Sequence, residues 1–255
     1  MDQQKPIIKL HPSFPLILAF LILFSLLSAG SVPEQAFSQT TPQDQYYKAV
    51  RDAEVAEPHE ISRNLIAIVP WNHDLTWRNP REANREVLVV TWTSWIGYEC
   101  MIGESMVLCR ELWVTTVPEL RNFCKRERLA PGKTVTRLEQ LLGLPPEDRK
   151  TNFVELWVKP QDLFRPSPDP EISDHEAGLD FPVSDQFVKV DEEYKKCFNC
   201  LKEKSYGEDG YPWTRLGYTY DWGNPDNEIG LSEFVVRKGA TVEIQSVWPT
   251  LDYCR

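Results

Sequence analysis

The sequence is poor in the residues and motifs that most often identify an enzyme. Only four histidines occur in 255 residues, and one of them, His11, lies close to the N terminus. The zinc-protease motif HExxH, the hydrolase motif GxSxG, the phosphate-binding loop and the dinucleotide motif GxGxxG are all missing. These absences exclude the common motif-defined hydrolases and nucleotide-binding enzymes. We expect no cofactor and no resident metal.

Domain-dividing linkers, internal repeats and an excess of basic residues are missing as well. After the N-terminal segment, no stretch rich in proline or glycine is long enough to separate two domains, so one domain of roughly 200 residues is predicted. The chain has 28 Lys and Arg against 38 Asp and Glu, which gives a net charge of −10. Such a surface repels phosphate groups, so nucleic acid is not expected as a partner.

A single long apolar run is present, between Phe14 and Leu27, and it follows Lys5 and Lys9. A basic region followed by an apolar region of this length predicts a secretory signal over residues 1–38. The run is shorter than the ~20 residues of a usual membrane span, so both a cleaved signal peptide and a retained signal-anchor are open. The folded part is therefore expected outside the cytoplasm, periplasmic or secreted. It would touch a membrane only through an uncleaved segment.

All six cysteines follow this segment, and in an oxidising compartment they could form disulfides. A hairpin between residues 87–96 and 107–114 would bring Cys100 close to Cys109. A long-range bridge would then join Cys124 to Cys254. The remaining pair, Cys197 and Cys200, forms a local CxxC.

The CxxC pair is compatible with thiol–disulfide exchange, with half of a zinc site, or with a structural role. Apolar residues at helical spacing, including Val190 and Tyr194, place Cys197 in mid-helix, away from the N-terminal turn that activates a thiol. No second CxxC and no histidine pair follows at zinc-finger spacing. We therefore expect structural disulfides or buried thiols, with thiol–disulfide chemistry as an alternative.

The hydrophobic pattern predicts an α+β fold: a single domain, with a mainly antiparallel sheet and two or three short helices packed on it. Strands are predicted at 61–69, 87–96, 152–158, 231–236 and 241–247. The strand at 87–96 is largely apolar on both faces, so it is expected at the centre of the sheet, and the last two strands are expected to form a hairpin with a turn over 237–240. Helices are predicted at 45–57, at 116–128, where Thr116 and Glu119 have capping-box spacing, from 136 to Gly143, and at 184–204. The first helix would be exposed, within a linker over 39–58, and the domain would cover 59–255.

Two histidines have acidic neighbours and are the candidate catalytic residues. His73 precedes Asp74 in a polar connection, and His175 precedes Glu176 in a long Pro-rich loop. A neighbouring carboxylate can orient an imidazole or join it as a metal ligand, and all four side chains together would suffice for zinc. An envelope hydrolase, possibly metal-dependent, is thus one hypothesis. Surface hydrogen bonding is the simpler interpretation, since Ser173 also has capping-box spacing to Glu176.

Aromatic residues are concentrated over residues 211–222, and Trp213, Tyr218 and Trp222 are candidate ligand-binding residues. Aromatic faces next to Asp, Asn and Arg are typical of glycan sites, where sugar CH groups stack on a ring. The same residues are also typical of a small β-rich core, because they bury large areas and need one hydrogen bond for the polar end.

The segments VPELRNFC, RLEQLLGLPP, DLFRP and PWTRLGYTYDWG resemble those of uncharacterised exported proteins of cyanobacterial genomes, over most of the chain after about residue 61. The resemblance implies export and carries no activity or site residue. The leading hypothesis is a non-catalytic envelope domain, structural or binding a ligand or a protein partner. The hydrolase and the CxxC thiol–disulfide protein are the alternatives.

Overall fold

The computed structural model of the protein describes residues 40–183, 190–207 and 209–255. The predicted secretory signal at 1–38 lies outside the described residues, and the chain from Thr40 onward forms one compact unit. This unit confirms the predicted single α+β domain, because its helices pack on a mainly antiparallel sheet. No helix in the described ranges combines the length and the apolar character needed to cross a bilayer.

The main sheet has eight strands, and a second sheet has two. The strands are β1 (Trp77–Arg78), β2 (Glu86–Thr93), β3 (Ser105–Val107), β4 (Leu112–Thr116), β5 (Asn152–Val158), β6 (Leu163–Phe164), β7 (Tyr218–Tyr220), β8 (Ile229–Ser232), β9 (Phe234–Val236) and β10 (Thr241–Pro249). The α-helices are α1 (Pro42–Ala53), α2 (Val117–Glu127), α3 (Pro131–Leu141), α4 (Glu192–Ser205) and α5 (Thr250–Tyr253). The main sheet has the order β3-β10-β5-β2-β4-β9-β6, with β1 also paired to β2, and β7 pairs with β8.

The centre of the main sheet is formed by β2 and β5, which are buried on both faces. Successive side chains of a strand point to opposite faces, so Val87 and Val89 pack in one core and Leu88 and Val90 in the other. The two strands pair along the whole of β5. The predicted central strand is confirmed, and the strand predicted at 152–158 has those bounds.

One face of this sheet is covered by α2, α3 and α5. Buried residues three or four positions apart, such as Leu120 and Phe123 on α2, form the apolar side of each helix. The predicted capping box of α2 is wrong, because Thr116 makes no capping bond. Its expected partner, Glu119, instead accepts hydrogen bonds from Ser232. The helix predicted from residue 136 begins earlier, at Pro131.

A disulfide joins Cys124 on α2 to Cys254 after α5, with their Cα atoms 4.9 Å apart. This is the predicted long-range bridge. The two residues are 130 positions apart in sequence, so the bridge removes much of the conformational freedom of the unfolded chain. Disulfides persist in oxidising compartments, so this one is typical of a protein that works outside the cytoplasm.

The hairpin predicted over 231–247 is wrong, because β9 pairs with β4 and β6 whereas β10 pairs with β3 and β5. The predicted turn does form, since the Ala240 N–H donates to the Arg237 carbonyl (3.2 Å). Three strands lie between β9 and β10. In a flat sheet they would stand about 19 Å apart, yet such a turn holds its ends within about 7 Å. The sheet must therefore curl until its two sides approach each other.

The strand predicted at 61–69 is instead an irregular segment that bonds to the Pro-rich loop. The Leu65 N–H donates to the His175 carbonyl (2.9 Å) and the Ile68 N–H to the Ile172 carbonyl (2.7 Å). The fully buried guanidinium of Arg165 donates to carbonyl groups of both segments. Because proline has no N–H to donate, a loop rich in proline cannot extend these bonds into a regular ladder.

The helix predicted at 45–57 is α1, and it is not an exposed linker. It begins with a capping box between Thr41 and Asp44. Tyr46, Ala49 and Val50 are buried, and the Tyr46 hydroxyl donates to the Gly210 carbonyl at 2.8 Å. The helix therefore belongs to the folded domain. The helix predicted at 184–204 corresponds to α4, although residues 184–189 lie outside the described ranges.

Candidate functional site

A cavity opens where β2 and β4 separate. The two strands form only two residue pairs, Val89 with Thr116 and Val90 with Thr115. Beyond this point, in the described part of the chain, β2 continues beside β5 and β4 beside β9. We call the space between residues 91–95 and 110–114 the fork cavity; residues 142–144, 211–213 and 233 also line it. Among the described residues, no strand pairs with the two edges that face each other across it.

The fork cavity has a volume of 670 Å³, within the range of about 300–1,000 Å³ that small-molecule sites occupy. Its walls include several large aromatic side chains. The Trp113 and Trp213 rings meet edge to face with centroids 6.3 Å apart, and the Trp95 and Tyr98 rings do so at 4.5 Å. The aromatic residues of the lining are Trp92, Trp95, Tyr98, Trp113, Phe153, Tyr211, Trp213 and Tyr220.

Two of these indoles are fixed by hydrogen bonds to the fold. Trp213 donates to the Pro166 carbonyl at 3.0 Å, and Trp92 donates to the Thr250 hydroxyl at 2.8 Å. The indole N–H groups of Trp95 and Trp113 have no acceptor among the described residues. A buried ring with a satisfied polar end forms a rigid wall, whereas a free indole N–H can bind a ligand. The cavity therefore combines preformed walls with available donors.

The cavity also contains the carboxyl group of Glu233, between β8 and β9, which has no counter-ion among the described residues. The backbone is fixed, since the Glu233 N–H donates to the Gly217 carbonyl at 2.9 Å. The side chain is partly buried and has no hydrogen bond or ion pair with the described residues. Burial raises the pKa of Glu233 to about 8, because a desolvated carboxylate is unfavourable. A strongly perturbed carboxyl group in a cleft is typical of functional sites.

The other charged side chains of the lining are compensated or exposed. Lys150 is paired with Asp148. Arg110 and Glu111 are adjacent in sequence, opposite in charge and both exposed. Among the described residues, Glu233 is thus the Asp, Glu, Lys or Arg of this lining whose side chain is neither ion-paired nor exposed.

Glu119 is another partly buried carboxyl group, and its surroundings show why Glu233 is different. The Glu119 carboxylate accepts from the backbone N–H and the hydroxyl of Ser232 (both 3.1 Å) and from the Thr115 hydroxyl (3.3 Å). Burial raises the pKa of Glu119, and these hydrogen bonds act in the opposite direction. Glu119 therefore connects α2 to β4 and β8 and has a structural role.

The four candidate catalytic residues lie outside the fork cavity. His73 and Asp74 are exposed in the turn before β1. The Nδ1 atom of His175 lies 2.7 Å from the Leu65 carbonyl oxygen, and Glu176 forms an exposed ion pair with a neighbouring arginine. No group of three or more His, Cys, Asp and Glu residues in the described ranges is arranged to hold a metal ion. The zinc arrangement considered for these residues is not formed.

Of the three candidate ligand-binding aromatics, only Trp213 lines the fork cavity. Tyr218 is 1% exposed and donates to the Glu60 carbonyl at 2.9 Å, and Trp222 donates to the Leu144 carbonyl at 3.0 Å. These two side chains pack in the core, with their polar ends satisfied. They present no open face on which a sugar could stack, so the core interpretation holds for them.

The predicted bridge between Cys100 and Cys109 is not formed, and both are exposed free thiols. The β2–β4 register explains this result: because Val90 faces Thr115, its continuation would place Ser105, not Cys109, opposite Cys100. Cys100 also lies on a 3₁₀ helix, outside any strand.

Cys197 and Cys200 lie in mid-helix on α4, as predicted, but they are exposed rather than buried. The helix begins at Glu192, so neither thiol is near the free N–H groups of its first turn. The position that activates the thiol of many CxxC redox proteins is therefore absent here.

Sequence reasoning missed Glu233, although a signal was available. The residue interrupts the apolar run LSEFVV of the predicted strand at 231–236. An acidic residue flanked by buried strand positions is unusual, because burying an unpaired charge is costly. The tryptophans of β2 and β4 could not be assigned to a cavity from sequence, since the separation of the two strands is a tertiary feature.

Comparison of the chain with protein-family models, with curated proteins and with solved structures gives no match. The functional conclusion therefore rests on the chemistry of the fork cavity and on the sequence itself.

Proposed function

We propose that the chain is an exported, non-catalytic domain of the cell envelope that binds a small amphipathic organic ligand in the fork cavity. The observation that carries this proposal is a 670 Å³ space with aromatic walls between two strand edges. Aromatic rings supply apolar contact, and unpaired strand edges supply backbone donors and acceptors. A ligand would thus find both parts of an amphipathic binding site already in place.

Two independent features support export. The sequence begins with the pattern of a secretory signal, and the folded domain contains a disulfide that an oxidising compartment would preserve. N-terminal sequencing of the protein from its native membrane and soluble fractions tests this part. A mature chain that begins near Gln39 would indicate a cleaved signal, and an intact Met1 in the membrane fraction would indicate an anchor. An intact Met1 in the cytosolic fraction would contradict export.

Ligand binding is tested with a pair of matched variants of the full chain, secreted from an oxidising host. Thr93→Trp places a large ring at a cavity-lining position at the end of β2, and Thr241→Trp places the same ring at an exposed position on β10. A panel of water-soluble aromatic compounds of neutral, cationic and anionic charge is screened by NMR of the indole N–H signals. We expect binding compounds to shift the Trp113 and Trp213 signals in the natural chain and in Thr241→Trp, but not in Thr93→Trp. Binding that is equal in all three proteins, or no binding by any compound, would refute the proposal.

A second candidate function, thiol–disulfide exchange, is favoured by one observation: Cys197 and Cys200 are free, exposed and one helical turn apart. Exchange with a glutathione disulfide substrate, followed by mass spectrometry, tests it. If this pair is functional, Cys197→Ser should abolish exchange, whereas Cys100→Ser should leave it unchanged. Equal reaction at Cys100 and Cys197 would mark all four thiols as ordinary exposed cysteines.

A further inference from the structure

We infer that the ligand of the fork cavity is an organic cation, an ammonium group attached to an apolar body, and that its charge is placed at Glu233. The inference rests on the proposed function of the cavity as a ligand site, and it names the chemical class of that ligand. Two groups that bind cations, a carboxyl group and a set of aromatic faces, occur together here, and among the described residues no Lys or Arg is paired with that carboxyl group or lies over the indole rings.

The charge balance of the cavity is the first argument. Glu233 has no cationic partner among the described residues, whereas Lys150 is already paired with Asp148. A neutral ligand would leave this carboxyl group protonated and uncharged, and an anionic ligand would be repelled by its ionised form. A cation would stabilise the carboxylate form, because it would supply the counter-charge that this partly buried group otherwise lacks.

The aromatic walls are the second argument, and they are independent of the first. Indole is the strongest of the aromatic side chains in binding cations through its face. Elsewhere the protein uses its own cations in this way: Arg78 lies 4.6 Å from the ring centre of Trp157, and Arg121 lies 4.5 Å from that of Tyr253. In the described part of the chain, no Lys or Arg lies over any indole of the cavity, that is, over Trp92, Trp95, Trp113 or Trp213.

The net charge of the chain also favours a cationic ligand. At −10, the protein attracts cations from solution and repels anions. Association of a cationic ligand should therefore become slower as the ionic strength rises, because salt screens this long-range attraction.

Binding should be coupled to a proton, because burial raises the pKa of Glu233 to about 8 and so favours its protonated form in the empty cavity at neutral pH. A permanently charged ammonium ligand would favour the carboxylate form and thus release that proton. The other titratable groups of the lining are Tyr98, Arg110, Glu111, Lys150, Tyr211 and Tyr220. Tyr206, just outside the lining, is close enough to interact electrostatically with Glu233, and burial raises its pKa. Burial raises the pKa of Tyr98, and burial with the adjacent Asp52 carboxylate raises that of Tyr220, so neither tyrosine loses a proton near neutral pH.

The test uses two probes of the same shape. One is para-(hydroxymethyl)phenyltrimethylammonium, and the other is its neutral isostere, para-tert-butylbenzyl alcohol. Affinities are measured by calorimetry for the natural chain, for Glu233→Gln and for Glu203→Gln, whose side chain is exposed on α4 outside the cavity. Calorimetry in two buffers with different heats of protonation gives the number of protons released.

We expect the cation to bind the natural chain and Glu203→Gln at least about tenfold more tightly than its neutral isostere. Glu233→Gln should lose that preference, and near pH 7 the natural chain should release about one proton for each cation bound. Equal affinity of the natural chain for both probes would overturn the inference even if Glu233→Gln failed to fold. A preference that persists in folded Glu233→Gln would overturn it as well. In both cases the cavity would remain a ligand site; only failure of both probes to bind would count against the proposed function too.

Discussion

The two halves of β2 have different surroundings. The first half belongs to the part of the molecule that gives stability, and the second half borders the part that we propose binds a ligand. Residues 87–90 lie between strands on both sides and are almost fully buried aliphatic side chains. Residues 91–93 keep β5 on one side and border the fork cavity on the other. One strand therefore passes from a filled core to an open site within seven residues.

The type of side chain at each position of β2 therefore depends on what surrounds that position, and not only on its being part of a strand. Valine and leucine fill the closed half, where interdigitated aliphatic side chains leave no void. Threonine and tryptophan form the open half, where a large ring can span a gap that no strand of the described residues fills. Substitutions in the closed half should therefore change stability, whereas substitution of Thr93, the less buried end of the open half, should change binding.

The largest decrease in the free energy of unfolding is expected from loss of the disulfide. Cys254→Ser frees a loop of 130 residues in the unfolded chain and should lower the free energy of unfolding by about 2–5 kcal/mol. Urea denaturation measures this change. Cys100→Ser, which removes an exposed free thiol, should remain within about 0.5 kcal/mol of the natural chain. Equal effects would mean that the bridge does not stabilise the native domain.

A buried aliphatic residue beside the closed half of β2 provides the next test. Leu156 lies opposite Val89 and is fully buried, so Leu156→Ala should cost about 2–5 kcal/mol through the cavity that it leaves. Trp95→Ala, at the edge of the fork, should cost only about 1 kcal/mol, because the ring is half exposed and loses mainly its contact with Tyr98. A larger loss from Trp95→Ala would show that the fork is part of the core.

Glu233, in the fork cavity, should make the stability of the protein depend on pH. Its pKa is raised from 4.5 to about 8 in the folded protein, so the folded state holds a proton that the unfolded state has lost. The resulting stabilisation is complete below about pH 4.5 and is lost as the pH rises towards 8.

Glu233→Gln cannot ionise, so its stability should exceed that of the natural chain increasingly from pH 5 to 8. The difference should grow by roughly 2–3 kcal/mol once partial exposure of the side chain is allowed for. Glu203→Gln is the control and should follow the natural chain. Parallel curves for natural chain and Glu233→Gln in urea denaturation would mean that Glu233 titrates normally.

The smallest effect on stability is expected from the four free cysteines. A thiol reagent added to the native protein should modify four thiols and leave Cys124 and Cys254 unmodified. The unfolding midpoint in urea should hardly change, because all four side chains are exposed. Modification of only two thiols would indicate a further disulfide and revise the assignment of Cys100 and Cys109 as free thiols.

The sequence predicts local features of this fold well and pairing poorly. The bounds of β5 and the central position of β2 follow from apolar residues that neighbouring strands cover on both faces. The turn over residues 237–240 forms, but the strands that it joins do not pair, because curling of the sheet gives each a better-matched partner far away in sequence. The fork cavity was not predictable for the same reason, since it depends on where β2 and β4 stop pairing.

The most direct test of the central claim is a crystal structure of the secreted protein with the trimethylammonium probe. We predict that β2 and β4 separate after Val90 and Thr115 and that the ammonium group lies in the fork cavity against Glu233, within about 6 Å of an indole ring. Continued pairing of β2 with β4 through Thr93, with no space for a ligand between them, would contradict the account.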